Sequence, residues 1–391
     1  MSYASLPLPY WVLPTRATGR WCRTLFTLIL CFTGVAASEG YSQLASREPQ
    51  RRYFGIGRSI PIHVDIPDRP SPKEPGTDAA LTAAAEPALD AGGEPAIDLY
   101  RWGQRSPYAT ASVVKGGVDL AALFPQLWAE KAPVVYFAQL RVGTAEVGSP
   151  LVLTPLITPQ RAVLYNAKLN QGWFINPKTG IPSFDALKDC ELEFLNPPNA
   201  VNYAGVRIDP AQIVIFKTSL GAITFLPRWD QAPNTCANII ELVRTGFYNE
   251  IPVHRIVNKL PTGHPFVVQF GDPTGSGNGG PGFNIQMENS KLPHDFGVLS
   301  MARDDDPDTN GSQVFICLSR EGTARLDGKY TSFAQAISGA DVIMALSAVK
   351  ADPKTQRPIG PMPMVVSARL EPAPAFSKWP APVVRPAPSG R

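Results

Sequence analysis

The stretch Phe266–Phe283 reads FVVQFGDPTGSGNGGPGF, and within it Gly275 to Gly280 spell G-x-G-x-x-G, the pattern of a dinucleotide-binding turn. Such a turn needs a strand before it and a helix directly after it, because the helix N-terminus receives the pyrophosphate. A strand-like run, Phe266–Phe270, does precede the glycines. Behind them, however, stands Pro281-Gly282-Phe283-Asn284, with no helical period. No Gly-Lys-Ser/Thr follows, and no acidic residue closes a second strand of a βαβ unit. The glycines are therefore read as permitting positive φ and tight reversals in a surface loop. The chemistry lies elsewhere.

Outward from this loop the chain is rich in short strands. QIVIFKTSLGAITFLP (212–227) reads as a hairpin about Ser219-Leu220-Gly221. Asn234 to Thr245 sets Cys236, Ile239, Ile240 and Val243 at helical spacing, and Gly246 follows where that helix should stop. VHRIV, FVVQF, GVLSMA, SQVFICL and TSFAQA are five more strand-like runs, GADVIMALSAV restores a helical period, and PMVVSARLE closes with a strand. Many strands and two helices predict an antiparallel barrel in place of a βαβ array.

The rest of the chain is uneven. Its 391 residues include 41 prolines against 32 glycines, more proline than a compact fold ordinarily uses. A net charge of +3, with no Lys/Arg stripe among aromatics, argues against nucleic acid as a partner. Arg16, Arg20 and Arg23 precede the apolar run TLFTLILCFTGVAA, which ends at the small residues Val35-Ala36-Ala37. That is a secretory signal pattern, predicting residues 1–37 as a signal peptide cleaved near Ala37 and an exported, periplasmic or extracellular, protein. The run is shorter than the roughly 20 residues of a membrane-spanning helix, so no stable span is expected after cleavage. An uncleaved membrane anchor is the alternative.

Residues 38–96, with PDRPSPKEPGTDAALTAAAEP at their heart, read as a disordered linker. Residues 97–210 hold PVVYFAQL, PLVLTPLI, AVLYNA and LEFLN, strand-like runs of a small β-rich region without a catalytic constellation. Residues 372–391 alternate proline with small residues and read as a solvated tail. Cys236 and Cys317 fall in apolar patterns as small buried side chains. His63, His254, His264 and His294 lack ligand spacing, so neither a metal nor a cofactor is expected.

The third region, residues 211–371, is the informative one. His254-Arg255, then FVVQFGDPTGSGNGGPG, then GVLSMARDDDPDTNGSQVFICLS, then LDGKYTSFAQAISGADVI occur in that order. This segment resembles the cyclophilin family of peptidyl-prolyl cis/trans isomerases. The resemblance implies a closed eight-stranded antiparallel β-barrel capped by two helices. It also implies binding of proline-containing peptides and unfolded exported proteins, assisting their folding. Arg255 corresponds to the family's catalytic arginine. Phe266, Val267, Phe315 and Leu326 match pocket-lining positions, although each is also a candidate core residue. Gln269 matches the glutamine that holds the substrate backbone and orients the arginine. Ala302, Arg303 and Gln313 match groove positions, and Tyr330 stands where many members carry histidine.

Four departures accompany the match. NKLPTGHP (258–265) carries an insertion between Arg255 and Phe266 that is either a harmless loop or a displacement of the arginine. Phe270 replaces a glycine at a strand end. Arg325 replaces an aromatic that often rims the pocket, which predicts poor binding of cyclosporin-type ligands. Asp304-Asp305-Asp306 lengthens a loop beside the groove and points to basic substrates. The alternative function is a catalytically weak proline-peptide-binding module, targeted to a partner by residues 97–210.

Overall fold

A computed structural model of the chain describes residues 51–66, 93–129, 134–157, 162–166, 171–172, 190–194 and 203–386. The expected signal peptide lies outside the described residues, as does most of the expected linker. The chain divides into two units, residues 1–40 and residues 41–391, and every described residue belongs to the second.

Nine antiparallel strands build the larger sheet of this unit. In chain order they are β1 (Gln212–Thr218), β2 (Gly221–Pro227), β3 (Ile251–Pro252), β4 (Arg255–Val257), β5 (Val267–Phe270), β6 (Val298–Met301), β7 (Val314–Cys317), β8 (Ser332–Ser338) and β9 (Met364–Pro372). Their order across the sheet is β3-β9-β1-β2-β8-β6-β7-β5-β4. The expectation of a closed eight-stranded barrel is corrected by this order. The sheet has nine strands and curls without closing, since β3 and β4 lie at opposite edges although only Val253 and His254 separate them. Two features account for the opening. β3 is two residues long, and its Pro252 has no N–H to donate to a ladder. The exposed side of β4 is met by a turn, where Ile256 N donates to Gln356 O at 2.8 Å.

The concave side of the sheet is filled by Phe216, Phe225, Phe270, Phe333 and Tyr248, with Trp229 among them. Helix α1 (Pro233–Arg244) buries Cys236, Ile239, Ile240 and Val243 against it, and helix α2 (Ala340–Ser347) buries Val342, Ile343 and Leu346. Both free cysteines whose side chains are described, Cys236 and Cys317, are buried.

A second, six-stranded antiparallel sheet orders Tyr53–Gly55, Tyr203–Pro210, Ala145–Ile157, Tyr136–Val142, Pro95–Arg101 and Ala109–Ser112. Period-two alternation sorts its side chains. Leu99, Ala138, Leu140, Leu151 and Leu153 face one apolar cluster, while Tyr100, Phe137 and Val152 enter the cluster of the larger sheet. The two sheets thus share a core. The linker expectation is corrected where residues are described, because Tyr53–Gly55 and Pro61–Val64 are strands. Phe54, Ile60, Ile62 and Val64 alternate with exposed residues and bury against this sheet, a pattern too short to stand out among charges and prolines.

The tail expectation changes as well. Residues 373–383 are held in place, with Phe376 N donating to Gln139 Oε1 at 3.0 Å and Val383 N to Ala336 O at 2.9 Å. Phe376 stacks on Tyr100 at 4.7 Å, and Trp379 meets Phe137 edge-on at 5.1 Å. Among the described residues no helix is long and apolar enough to cross a membrane.

Candidate active site

Arg255 opens β4 directly opposite Gln269 in β5, and Gln269 in turn faces Phe315 in β7. Period-two alternation therefore sends Arg255, Gln269 and Phe315 to one side of the sheet, away from the large core. The Arg255 Nη1 donates to Gln269 Oε1 at 2.9 Å. Gln269 Nε2 donates to Gln313 Oε1 at 2.9 Å, and Gln313 Nε2 to the carbonyls of Gly277 and Gly279 at 2.8 and 2.9 Å. Every amide in this relay is oriented by its neighbour. The glycine loop is its anchor, which gives the G-x-G-x-x-G stretch a structural task without a phosphate.

Two glycines there are required by geometry. Gly277 has φ +96°, and a Cβ on Gly279 would lie 2.0 Å from Asp272 Oδ1. Asp272 clasps the loop, accepting from Thr274 N at 2.7 Å and Gly277 N at 2.6 Å. Burial alone would raise its pKa, but these donors and the Thr274 hydroxyl outweigh it and hold the carboxyl well below the usual range.

Beside the relay sits a small apolar cluster, separate from both large cores. It gathers Phe266, Val267, Phe315 and Leu326 with Val257 and Cys317, and Ala302 and Tyr330 pack on its border. All four expected pocket residues meet here. Val267, at 1% exposure, is wholly interior, so it supports the wall without presenting a surface. Phe315 contacts Tyr330 edge-to-face at 5.9 Å.

The rim carries cations. The Arg325 guanidinium lies 4.7 Å from the Phe266 ring centre and that of Arg303 4.5 Å from the Tyr330 ring centre. Arg303 also donates to Lys329 O at 2.9 Å and Asp304 O at 2.7 Å. Ala302 was expected at a groove position, and its N–H is already committed, donating to Gln313 O at 2.8 Å. Burial lowers the pKa of Arg255, Tyr330 opposes that and Arg325 adds to it; the guanidinium nonetheless stays charged.

The departures resolve on geometry. The insertion closes on itself through Leu260 N to His264 O and Gly263 N to Leu260 O, both 2.8 Å, while Phe266 N returns to Val257 O at 3.0 Å. The register of β4 on β5 is uninterrupted, and the insertion is a local loop. Phe270 turns into the large core against Phe216, at 5.2 Å, and crowds nothing in the site.

Sequence reasoning missed two sets of residues. Gln356 Oε1 accepts from Arg255 Nε at 2.6 Å across 101 positions of sequence, a distance no local motif spans. Behind Phe315 lies His294, stacked at 6.1 Å. Its Nδ1 is 3.0 Å from Asp327 Oδ1 and its Nε2 2.9 Å from Ser300 Oγ. Burial lowers its pKa, and Asp327 only partly offsets this, so the ring is neutral. A carboxylate can only accept, so Nδ1 carries the proton and Nε2 accepts from the Ser300 hydroxyl. A histidine with no visible partner nearby in sequence gave no such signal.

The sequence profile described as "Cyclophilin type peptidyl-prolyl cis-trans isomerase/CLD" matches residues 213–368. A peptidyl-prolyl cis-trans isomerase of Arabidopsis thaliana is 42% identical over 151 residues, 37% of this chain and 86% of the relative. The human peptidyl-prolyl cis-trans isomerase-like 1 is 37% identical over 151 residues, 37% of this chain and 85% of the relative. A crystal structure of a cyclophilin-type peptidyl-prolyl cis-trans isomerase from Cryptosporidium parvum is 31% identical, covering 42% of this chain and 99% of that one, with a TM-score of 0.38. A second structure of that protein was obtained in the presence of the dipeptide Ala-Pro, with a TM-score of 0.37, 31% identity, and 41% of this chain and 98% of that one covered.

Proposed function

The chain belongs to the cyclophilin-type peptidyl-prolyl cis-trans isomerases, and from that premise we propose that it catalyses rotation about Xaa-Pro bonds at Arg255 and assists the folding of exported proteins. The observation that carries the reading is a guanidinium fixed by an oriented glutamine, on the same side of the sheet as a small apolar cluster.

Rotation about an Xaa-Pro bond must suspend amide resonance, against a barrier of about 18–20 kcal/mol. As the bond twists, the prolyl nitrogen pyramidalises and its lone pair, delocalised into the carbonyl in the planar amide, becomes localised on nitrogen. A donor placed at that nitrogen stabilises the twisted state above both planar ones. Arg255 is that donor. Phe266, Phe315 and Leu326 receive the proline ring. Gln269, Gln313, Tyr330, the Ala302 carbonyl and the backbone of Arg303 hold the peptide on either side. No covalent bond forms or breaks, so the chemistry asks for no nucleophile, metal or cofactor.

Export rests on the sequence pattern of residues 1–37, and an uncleaved segment would instead tether the isomerase to a membrane. Arg325 in place of an aromatic rim predicts poor affinity for cyclosporin-type ligands, and Asp304–Asp306 favour basic residues near the proline. The six-stranded sheet shares a core with the larger one, which supports a second reading as a fused proline-peptide-binding module. Exchange spectroscopy on a short Xaa-Pro peptide with the full chain separates the two. Accelerated cis/trans exchange is the expected result; binding without acceleration selects the module.

A further inference from the structure

Gln356 occupies a backbone position that a glutamine has no local reason to take. Its φ is +59°, and Glu250 is the only other non-glycine residue at positive φ among those described. Left-handed turns favour glycine or asparagine, because a longer side chain is strained there. The turn is nevertheless built to hold it. The Asp352 carboxylate accepts from Lys354 N, Thr355 N and Thr355 Oγ1 at 3.0, 2.7 and 3.0 Å, and Gln356 N donates to Asp352 O at 2.7 Å. The other face of the same residue grips β4 at two points. Its carbonyl accepts from Ile256 N at 2.8 Å, and its side-chain Oε1 accepts from Arg255 Nε at 2.6 Å.

We propose that Gln356 is a positioning residue for the catalytic arginine, and that the strained turn at 352–357 exists to place it. Arg255 Nε and Nη1 are committed to Gln356 and Gln269, which fixes the guanidinium plane and leaves Nη2 for the prolyl nitrogen. Both partners are neutral amides, so the cation is oriented without being neutralised. This inference rests on the isomerase reading and adds to it a residue from the turn between α2 and β9.

The test uses the full chain with Gln356→Leu, Gln356→Gly and Gln356→Glu, measuring kcat and KM for a short Xaa-Pro peptide alongside Tm. Loss of a hydrogen bond to a charged group, with the drift in orientation it allows, predicts a fall in kcat/KM of roughly tenfold to a hundredfold in the Leu and Gly variants. The fall should sit in kcat, with KM little changed. The Glu variant keeps an acceptor but sets a carboxylate against the guanidinium, so it should hold Arg255 in place and still lose kcat. Glycine relieves the positive φ, so Gln356→Gly should melt at or above the parent temperature while losing turnover, a divergence that a purely structural role would not produce. Unchanged kcat in the Leu and Gly variants overturns the proposal, as do losses that follow Tm. A parent chain that fails to accelerate exchange overturns the isomerase reading itself.

Discussion

Arg255 is a half-buried cation whose nearest side-chain acceptors are the neutral amides of Gln269 and Gln356. A carboxylate there would neutralise the charge and compete with the prolyl nitrogen, whereas an amide aims it without cancelling it. Gln269 is also the residue through which the glycine loop reaches the arginine. Gln269→Leu should reduce kcat/KM by roughly tenfold or more, from a charged-group hydrogen bond worth about 1.5–3 kcal/mol; peptide exchange kinetics read this directly. His294 behind Phe315 makes a different prediction. Its pKa is depressed in the folded protein, so the unfolded chain binds more protons as pH drops through the ordinary histidine value near 6.5. Stability then rises with pH across that window and is lost toward acid. His254 is buried with a depressed pKa and acts in the same direction. Melting temperature should fall between about pH 7 and 5, and His294→Asn should make the fall shallower even if it lowers stability overall.

Among the elements, the strands of the larger sheet were the most legible, because VVQF, VLSM and VFIC are short, nearly continuous apolar runs rich in β-branched and aromatic residues. Closure of the sheet was not. It depends on Pro252, which cannot donate, and on a turn at residue 356 that arrives from far along the chain. The expected helix at 234–245 is observed at Pro233–Arg244, but its N-terminus is capped from a distance. Glu288 accepts from Asn234 N at 3.0 Å and Thr235 N at 2.7 Å, groups that no residue of the helix itself satisfies. Glu288→Ala should therefore destabilise the protein by about 1 kcal/mol, as loss of a helix cap does, and denaturant unfolding measures it. The residues that meet in the small apolar cluster were readable because they fall within motifs, whereas Gln356 and His294 act through contacts that only the fold creates.

At the scale of the whole molecule, the second sheet and the tail are parts of one packed body with the larger sheet. Tyr100, Phe137 and Val152 leave one sheet for the core of the other, and Phe376 and Trp379 close over them. Arg207 adds a polar tie, donating to Pro233 O at 2.8 Å at the start of α1. Composition alone could not reveal this, since a proline-rich tail is ordered only by the surface it meets. Residues 211–371 cut out alone would expose that seam, so the full chain is the proper subject of experiment. Thermal unfolding should show one cooperative transition for the two sheets. Phe376→Ala should lower stability by about 2 kcal/mol, in line with an aromatic ring taken out of water, while leaving kcat/KM unchanged; two separate transitions would contradict the shared core.

The most direct test of the central claim is the cis/trans exchange rate of a short Xaa-Pro peptide with the full chain and its Arg255→Ala variant. Acceleration by the parent that falls by about a hundredfold or more in a folded variant is the predicted result, the scale expected when one transition-state donor is lost. Equal acceleration by both, or none from the folded parent, would contradict it.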